Sequence, residues 1–186
     1  TLGLTEGWIN TATGQSYSLC PGTGVGTFDP AVHTFHNYRY AEIRSGLERA
    51  LSAMWALNPN LKVLLTVSPV PLVATASGDH VLVATQYSKS VLRAVAGDAA
   101  QDHAAVEYFP SFEIIAAPPT RGAFFEPNLR GIAAEGVELV MRHFFAGIDL
   151  TAPPTGRKPP EDAARKEADL KKAAQEKLVC EEMILE

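Results

Sequence analysis

Leu61-Lys62-Val63-Leu64-Leu65-Thr66-Val67 is a short, nearly continuous apolar run carrying the β-branched residues Val63, Thr66 and Val67. A strand with one wet face alternates apolar and polar residues. A run that is apolar almost throughout suits a strand covered on both faces, as in a parallel sheet. Pro69 and Pro71 end it, because proline brings no N–H to a ladder.

Reading outward from that run, residues 40–57 place Ile43, Leu47, Ala50, Leu51, Met54 and Trp55 at spacings of three and four, with Glu42, Arg44, Glu48 and Arg49 between them. This is the pattern of an amphipathic helix, stopped by Asn58-Pro59. On the other side, a helix is expected over residues 84–100, where Val91, Leu92 and Val95 share a face. A second strand is expected within residues 106–115, ahead of the Pro118-Pro119 break, and a last helix over 132–145, with Val137, Val140, Met141 and Phe144 in register and Gly147 at the C-cap. Upstream, Leu2-Gly3-Leu4 reads as the exit of a strand, and residue 1 is Thr, so the domain is expected to lack its N-terminal part. Most of residues 9–37 reads as a long ordered loop, since Pro21-Gly22-Thr23-Gly24-Val25-Gly26 and Asp29-Pro30 punctuate it.

Helices alternating with short apolar strands imply parallel pairing through right-handed crossovers. The fold class expected is therefore α/β, a three-layer α/β/α sandwich with a parallel sheet, incomplete at the N-terminus.

Composition narrows the function classes. Hydrophobic residues are 46% and charged residues 20% of the chain, values of an ordinary globular protein. A net charge of -5 and no Lys/Arg stripe ahead of the tail leave nothing with which to hold a polyanion, so no nucleic-acid partner is expected. No apolar run is long enough for a membrane span, and the opening residues lack the charged and apolar regions of a signal peptide, so the default location is the cytoplasm. Cys20 and Cys180 sit in no C-x-x-C pattern, and His33 and His36 are three apart without another obvious ligand, so neither metal nor cofactor is expected.

The composition changes near residue 149. Residues 149–160 are a Pro-rich segment expected to be an extended linker, and residues 161–186, rich in Ala, Glu and Lys with Glu167 and Lys171 at i,i+4, are expected to form a charged C-terminal helix. Residues 151–186 are the segment available for a protein partner. Residues 1–148 are then the α/β domain.

Five strings within residues 1–147 resemble the GSCFA-domain proteins of bacteria, which are grouped with the GDSL/SGNH hydrolases. They are Thr1-Leu2-Gly3-Leu4-Thr5-Glu6-Gly7-Trp8, Phe28-Asp29-Pro30, Leu65-Thr66-Val67-Ser68-Pro69-Val70-Pro71-Leu72, Tyr87-Ser88-Lys89-Ser90-Val91-Leu92-Arg93 and Tyr108-Phe109-Pro110-Ser111-Phe112-Glu113. The resemblance implies an SGNH-like esterase, acyl hydrolase or O-acyltransferase acting on a small-molecule or carbohydrate ester. The alternative is a catalytically inactive module of the same fold, used for ligand binding or as a subunit of a larger assembly.

In the SGNH pattern, donors for the oxyanion come from loops at the carboxyl ends of parallel strands, the last of them a Gly-x-Asn block. Leu2-Gly3-Leu4-Thr5-Glu6 resembles that block, with Thr5 where the pattern has Asn. The resemblance thus makes Thr5 a candidate oxyanion donor, beside Glu6. Two features depart from the pattern. The Gly-Ser-Cys-Phe-Ala motif is absent, so its nucleophile is expected upstream of Thr1, and the Asp-x-x-His that would supply the base is replaced by Asn128-Leu129-Arg130-Gly131. Arg130 can bind an anion but cannot take a proton at neutral pH.

Ser68 follows a strand exit, where α/β sheets gather their ligands. His80, in Ser77-Gly78-Asp79-His80, is the histidine best placed to stand in as base. The catalytic candidates are accordingly Thr5, Glu6, Ser68, His80 and Arg130. Ser88-Lys89 is not read as a dyad, because neighbours on a helix point about 100° apart; a capping or pocket-lining role is expected there.

Overall fold

The computed structural model describes residues 1–24 and 26–147; the expected linker and charged helix at 149–186 lie outside them. The described residues form a mixed α/β fold with two small sheets, one antiparallel and one parallel. The antiparallel sheet is built from β1 (Glu6–Asn10), β2 (Ser16–Tyr17) and β3 (His33–Asn37) in the order β2-β1-β3. Then follow α1 (Tyr40–Leu57), β4 (Val63–Leu65), α2 (Val81–Asp102), β5 (Val106–Tyr108), α3 (Ser111–Ala116), a 3-10 turn at Pro118–Thr120 and α4 (Ala134–Gly147).

The parallel pairing read from the Leu61-to-Val67 peptide is present. β4 pairs with β5 in parallel, Val63 opposite Val106 and Leu65 opposite Tyr108. A parallel bridge from Leu2 to Val67 adds a third segment on the other side. The Leu2 N–H donates to the Thr66 carbonyl at 2.8 Å, and the Ser68 N–H donates to the Leu2 carbonyl at 2.9 Å. Three chain segments therefore run the same way and exit at one edge.

Helix α1 has the expected bounds. Glu42 Oε2 accepts from the Arg39 N–H at 2.8 Å, which satisfies a donor at the helix start, and the chain leaves through the Asn58 N–H to the Met54 carbonyl at 2.9 Å. Leu51 of α1, Leu92, Ala96 and Ala99 of α2, and Leu65, Val67 and Val106 of the parallel segments make one buried cluster. Burying such side chains contributes roughly 1.5–3 kcal/mol for each large one, an upper bound given residual compactness of the unfolded chain. Helices α3 and α4 pack on each other, with Ile115 buried and Gly136 against it.

One expectation is corrected and another is narrowed. Residues 9–37 are not one loop: they hold the end of β1, β2 and β3, with the Trp8–Phe35 cross-strand pair edge to face at 5.7 Å. A turn that the sequence carries locally makes this possible. Asn10 Oδ1 accepts from the N–H groups of Ala12 and Thr13 at 3.0 and 3.1 Å, and Gly14 takes φ 71, so β1 folds back to β2. Second, the strand expected within residues 106–115 is present as β5 but fills only the start of that run. The strand ends at Tyr108, and the run from Ser111 is helical, because Phe112, Ile114 and Ile115 fit a short buried helix as well as a strand and periodicity alone does not separate them.

Candidate functional site

Residues 3–5 carry the chain from one sheet to the other: Leu2 bridges to Val67, and β1 begins at Glu6. The crossover is held from below by α2. Its buried residues are Ala84, Ser88, Lys89, Leu92, Val95, Ala96 and Ala99, a stripe wide enough to take two adjacent positions. The Ser88 hydroxyl accepts from the Thr5 N–H at 2.7 Å, and the Lys89 ammonium donates to the Gly3 carbonyl at 2.8 Å. From the other side, Thr5 Oγ1 donates to Asn37 Oδ1 at 2.7 Å, and the Tyr38 N–H donates to the Thr5 carbonyl at 2.8 Å.

Thr5 is completely buried. Its amide and its hydroxyl each have a protein acceptor, so in this structure it presents no donor to an oxyanion. What it does is tie β1, β3 and α2 together at the strand exit.

Lys89 is 1% exposed. Burial pushes its amine down to about 8 from an ordinary 10.5, since removing the ammonium from water disfavours the charged form. Neither Ser88 nor Lys89 bonds to the other; both reach back to the same strand exit, eighty-odd residues away in sequence.

Glu6 follows Thr5 and turns into a crevice. Thr75 Oγ1 donates to Glu6 Oε1 at 2.7 Å, the Ser77 hydroxyl lies 2.8 Å from the Thr75 hydroxyl, and the Ser77 N–H donates to it at 3.0 Å. The carboxylate is thereby oriented. The crevice encloses about 370 Å³, within the range of small-molecule sites. Its walls come from Leu4 and Trp8, from the loop holding Leu19 and Cys20, from Phe35 of β3, and from residues 72–76 beyond the β4 exit. Burial pushes the Cys20 thiol up from its ordinary value, so it is not an activated thiolate.

The other sequence candidates lie as follows. Ser68 is half-buried at the exit beside Leu2, and its hydroxyl accepts from the Val70 N–H at 3.3 Å. His80 is the N-cap of α2: its Nδ1 accepts from the Leu82 N–H at 3.3 Å, and the ring is exposed. On the helix, Ser88 lies about 12 Å further along the axis. Arg130 follows Leu129, which has φ 57, in a loop where Asn128 Oδ1 accepts from the N–H groups of Arg130 and Gly131, both at 2.9 Å. Its Nε is buried without a hydrogen-bond partner among the described residues.

The parallel Leu2–Val67 bridge puts Ser68 and the crossover that ends in Thr5 at the same strand end, and Glu6 opens β1 just beyond. No hydrogen bond or ion pair among the described residues links Arg130 or His80 to these three. His33 and His36 sit on β3 rather than in a loop, three residues apart and so on opposite faces of the strand; they bond to the Asp29 N–H at 3.0 Å and to Glu42 at 2.8 Å respectively. Sequence reasoning missed Asn37 and Thr75 as parts of the site, and it gave Ser88-Lys89 a capping or pocket-lining role, whereas both side chains are buried and bond to the strand exit. Only the buried-stripe spacing of Lys89 with Leu92 and Ala96 carried a signal.

Among the described residues, no helix is long and apolar enough to cross a membrane. Two of the strings that prompted the family resemblance meet in space: Arg93 Nε donates to Glu113 Oε1 at 2.5 Å and its guanidinium covers the Tyr108 ring at 4.0 Å, while the Tyr108 hydroxyl donates to Glu113 Oε2 at 2.8 Å. Neither a curated protein nor a solved structure matches the chain. The model of the GSCFA family matches residues 1–144, which takes in all five strings and nearly all of the described fold, and the chain belongs to that family.

Proposed function

We propose that this chain forms the strand-end crevice of an SGNH-like ester hydrolase or O-acyltransferase, a domain of three α/β/α layers. The observation that supports it is where the crevice opens: Leu4 stands two residues beyond the Leu2 bridge, and residues 72–76 follow Val67, its parallel partner. Open α/β sheets take their ligands in the crevice outside the carboxyl ends of their strands. In this reading the substrate is an ester, the acyl group enters the crevice beside Glu6, and Ser68 stands at the strand exit that leads on to residues 72–76. The nucleophile belongs to a Gly-Ser-Cys-Phe-Ala block, which these 186 residues do not contain.

A specific observation favours a second reading, a binding module without turnover. The Ser68 hydroxyl has no base within hydrogen-bond reach among the described residues, and the His80 Nδ1 is spent on the cap. The deciding experiment is steady-state release of nitrophenol from a nitrophenyl ester. The chain alone is expected to give no saturable turnover, and a protein carrying a Gly-Ser-Cys-Phe-Ala segment ahead of Thr1 is expected to give it. Absence of turnover from both leaves the binding module as the function. Saturable turnover by the chain alone, lost in Ser68→Ala or His80→Ala, places a rebuilt catalytic site within it.

A further inference from the structure

We propose that the crevice is a chain pocket selective for neutral ligands: it takes a medium-length alkyl or acyl chain whose head group donates a hydrogen bond to Glu6, and it rejects the corresponding free acid. The inference deepens the ester reading by naming the substrate class. Its test is one of binding, so it stands or falls without turnover.

The walls argue the chain. Leu4, Trp8, Leu19, Phe35, Leu72 and Val73 supply an apolar lining to about 370 Å³ of space. Leu4, Leu19 and Val73 are exposed large hydrophobic residues, at 41%, 58% and 41%. They leave apolar area in water that a chain would cover. Each methylene buried in such a site tightens binding roughly fourfold.

Glu6 argues the head group. An ionised carboxylate is an acceptor only. Thr75 and Ser77 fix this one through Oε1, and among the described residues Oε2 accepts no hydrogen bond. An alcohol or sugar hydroxyl on the ligand completes its shell. A second carboxylate in the same half-enclosed space meets like-charge repulsion and offers no donor, which is how a pocket discriminates against a near-isostere.

The probes are hexyl and octyl glucoside, which carry the chain and the hydroxyls on a glycosidic acetal with no acyl carbon for an ester hydrolase to attack, and octanoate, which carries the chain on an anion. Binding to the 186-residue chain is measured by calorimetry below micelle-forming concentrations. It is read again in Trp8 emission in a Trp55→Phe background, since the chain holds two tryptophans and Trp8 lines the crevice. Octyl glucoside is expected to bind about fifteenfold tighter than hexyl glucoside, and octanoate at least tenfold more weakly than octyl glucoside. Glu6→Gln is expected to close that gap, and Ala74→Phe, which fills the crevice, to abolish binding of all three. No saturable binding, binding that survives Ala74→Phe, or equal affinity for octanoate and octyl glucoside in the unaltered chain each overturns the proposal. Octyl glucoside binding together with failure of the ester assays supports the pocket while removing the hydrolase. Ester turnover without saturable octyl glucoside binding keeps the hydrolase and overturns the pocket.

Discussion

The Thr5 amide donates to the Ser88 hydroxyl at 2.7 Å across 83 residues of sequence, and both groups are fully buried. One side chain of α2 thus satisfies the backbone at the point where the chain passes from the parallel segments into β1. Because the N–H has no other acceptor, removing the hydroxyl strands it. Ser88→Ala is therefore expected to cost about 1–3 kcal/mol in urea unfolding. Ser90→Ala, two residues along on an exposed position, is expected to change stability by less than about 0.5 kcal/mol. Equal small effects at the two positions would remove Ser88 from this role.

Lys89 gives stability a pH dependence whose sign follows from its depressed amine. Between about 8 and 10.5 the unfolded chain keeps the lysine proton that the folded chain has lost, so unfolding takes up protons and stability rises with pH through that window. Two groups act the other way at the upper end. Burial and the bond to Glu113 hold the Tyr108 hydroxyl well above its usual value, and the Asp98 carboxylate does the same for Tyr40, so their contributions are lost as pH rises past about 10. Urea unfolding at pH 7.5 and 9.5 is expected to show a gain of up to a few kcal/mol in the unaltered chain relative to Lys89→Met. Parallel profiles for the two proteins would count against a buried, depressed amine.

Gly136 in α4 leaves no room for a methyl group. A Cβ there would lie 2.9 Å from Phe124 Cβ, 3.0 Å from Ile132 Cγ2 and 3.1 Å from Ile115 Cδ1. Helix propensity favours Ala over Gly by about 1 kcal/mol, but overpacking a close contact costs roughly 1–3 kcal/mol. Gly136→Ala is expected to lower the unfolding midpoint, whereas a rise would mean that α3 and α4 part easily.

His80 caps α2 through its ring nitrogen, a task that Ser performs better. His80→Ser is expected to keep or raise stability, by up to about 1 kcal/mol. Any ester turnover that depends on an imidazole base would vanish in the same variant. Loss of stability without change in turnover would show that the ring packs rather than caps.

The sequence alone determined the parts of this fold that repeat at short range. The three-and-four spacing from Ile43 to Trp55 delimits α1, the unbroken apolar run around Val63 to Val67 marks a strand of a parallel pair, and the same periodicity finds the helices expected at 84–100 and 132–145, which run from Val81 to Asp102 and from Ala134 to Gly147. The family strings were legible as well, since they are contiguous. The antiparallel sheet was not, because its strands are short and lie among Gly and Pro, and cross-strand pairs such as Trp8 and Phe35 decide it rather than any local pattern. Nor does sequence say whether a donor is free. Thr5 reads as an oxyanion donor until Ser88 and Asn37 are found on its two donors, and Glu6 reads as a catalytic candidate with no partner assigned until Thr75 is found on its carboxylate. Periodicity is a property of neighbours along the chain. Burial and hydrogen-bond occupancy belong to neighbours in space, and across 83 residues only the tertiary structure chooses them.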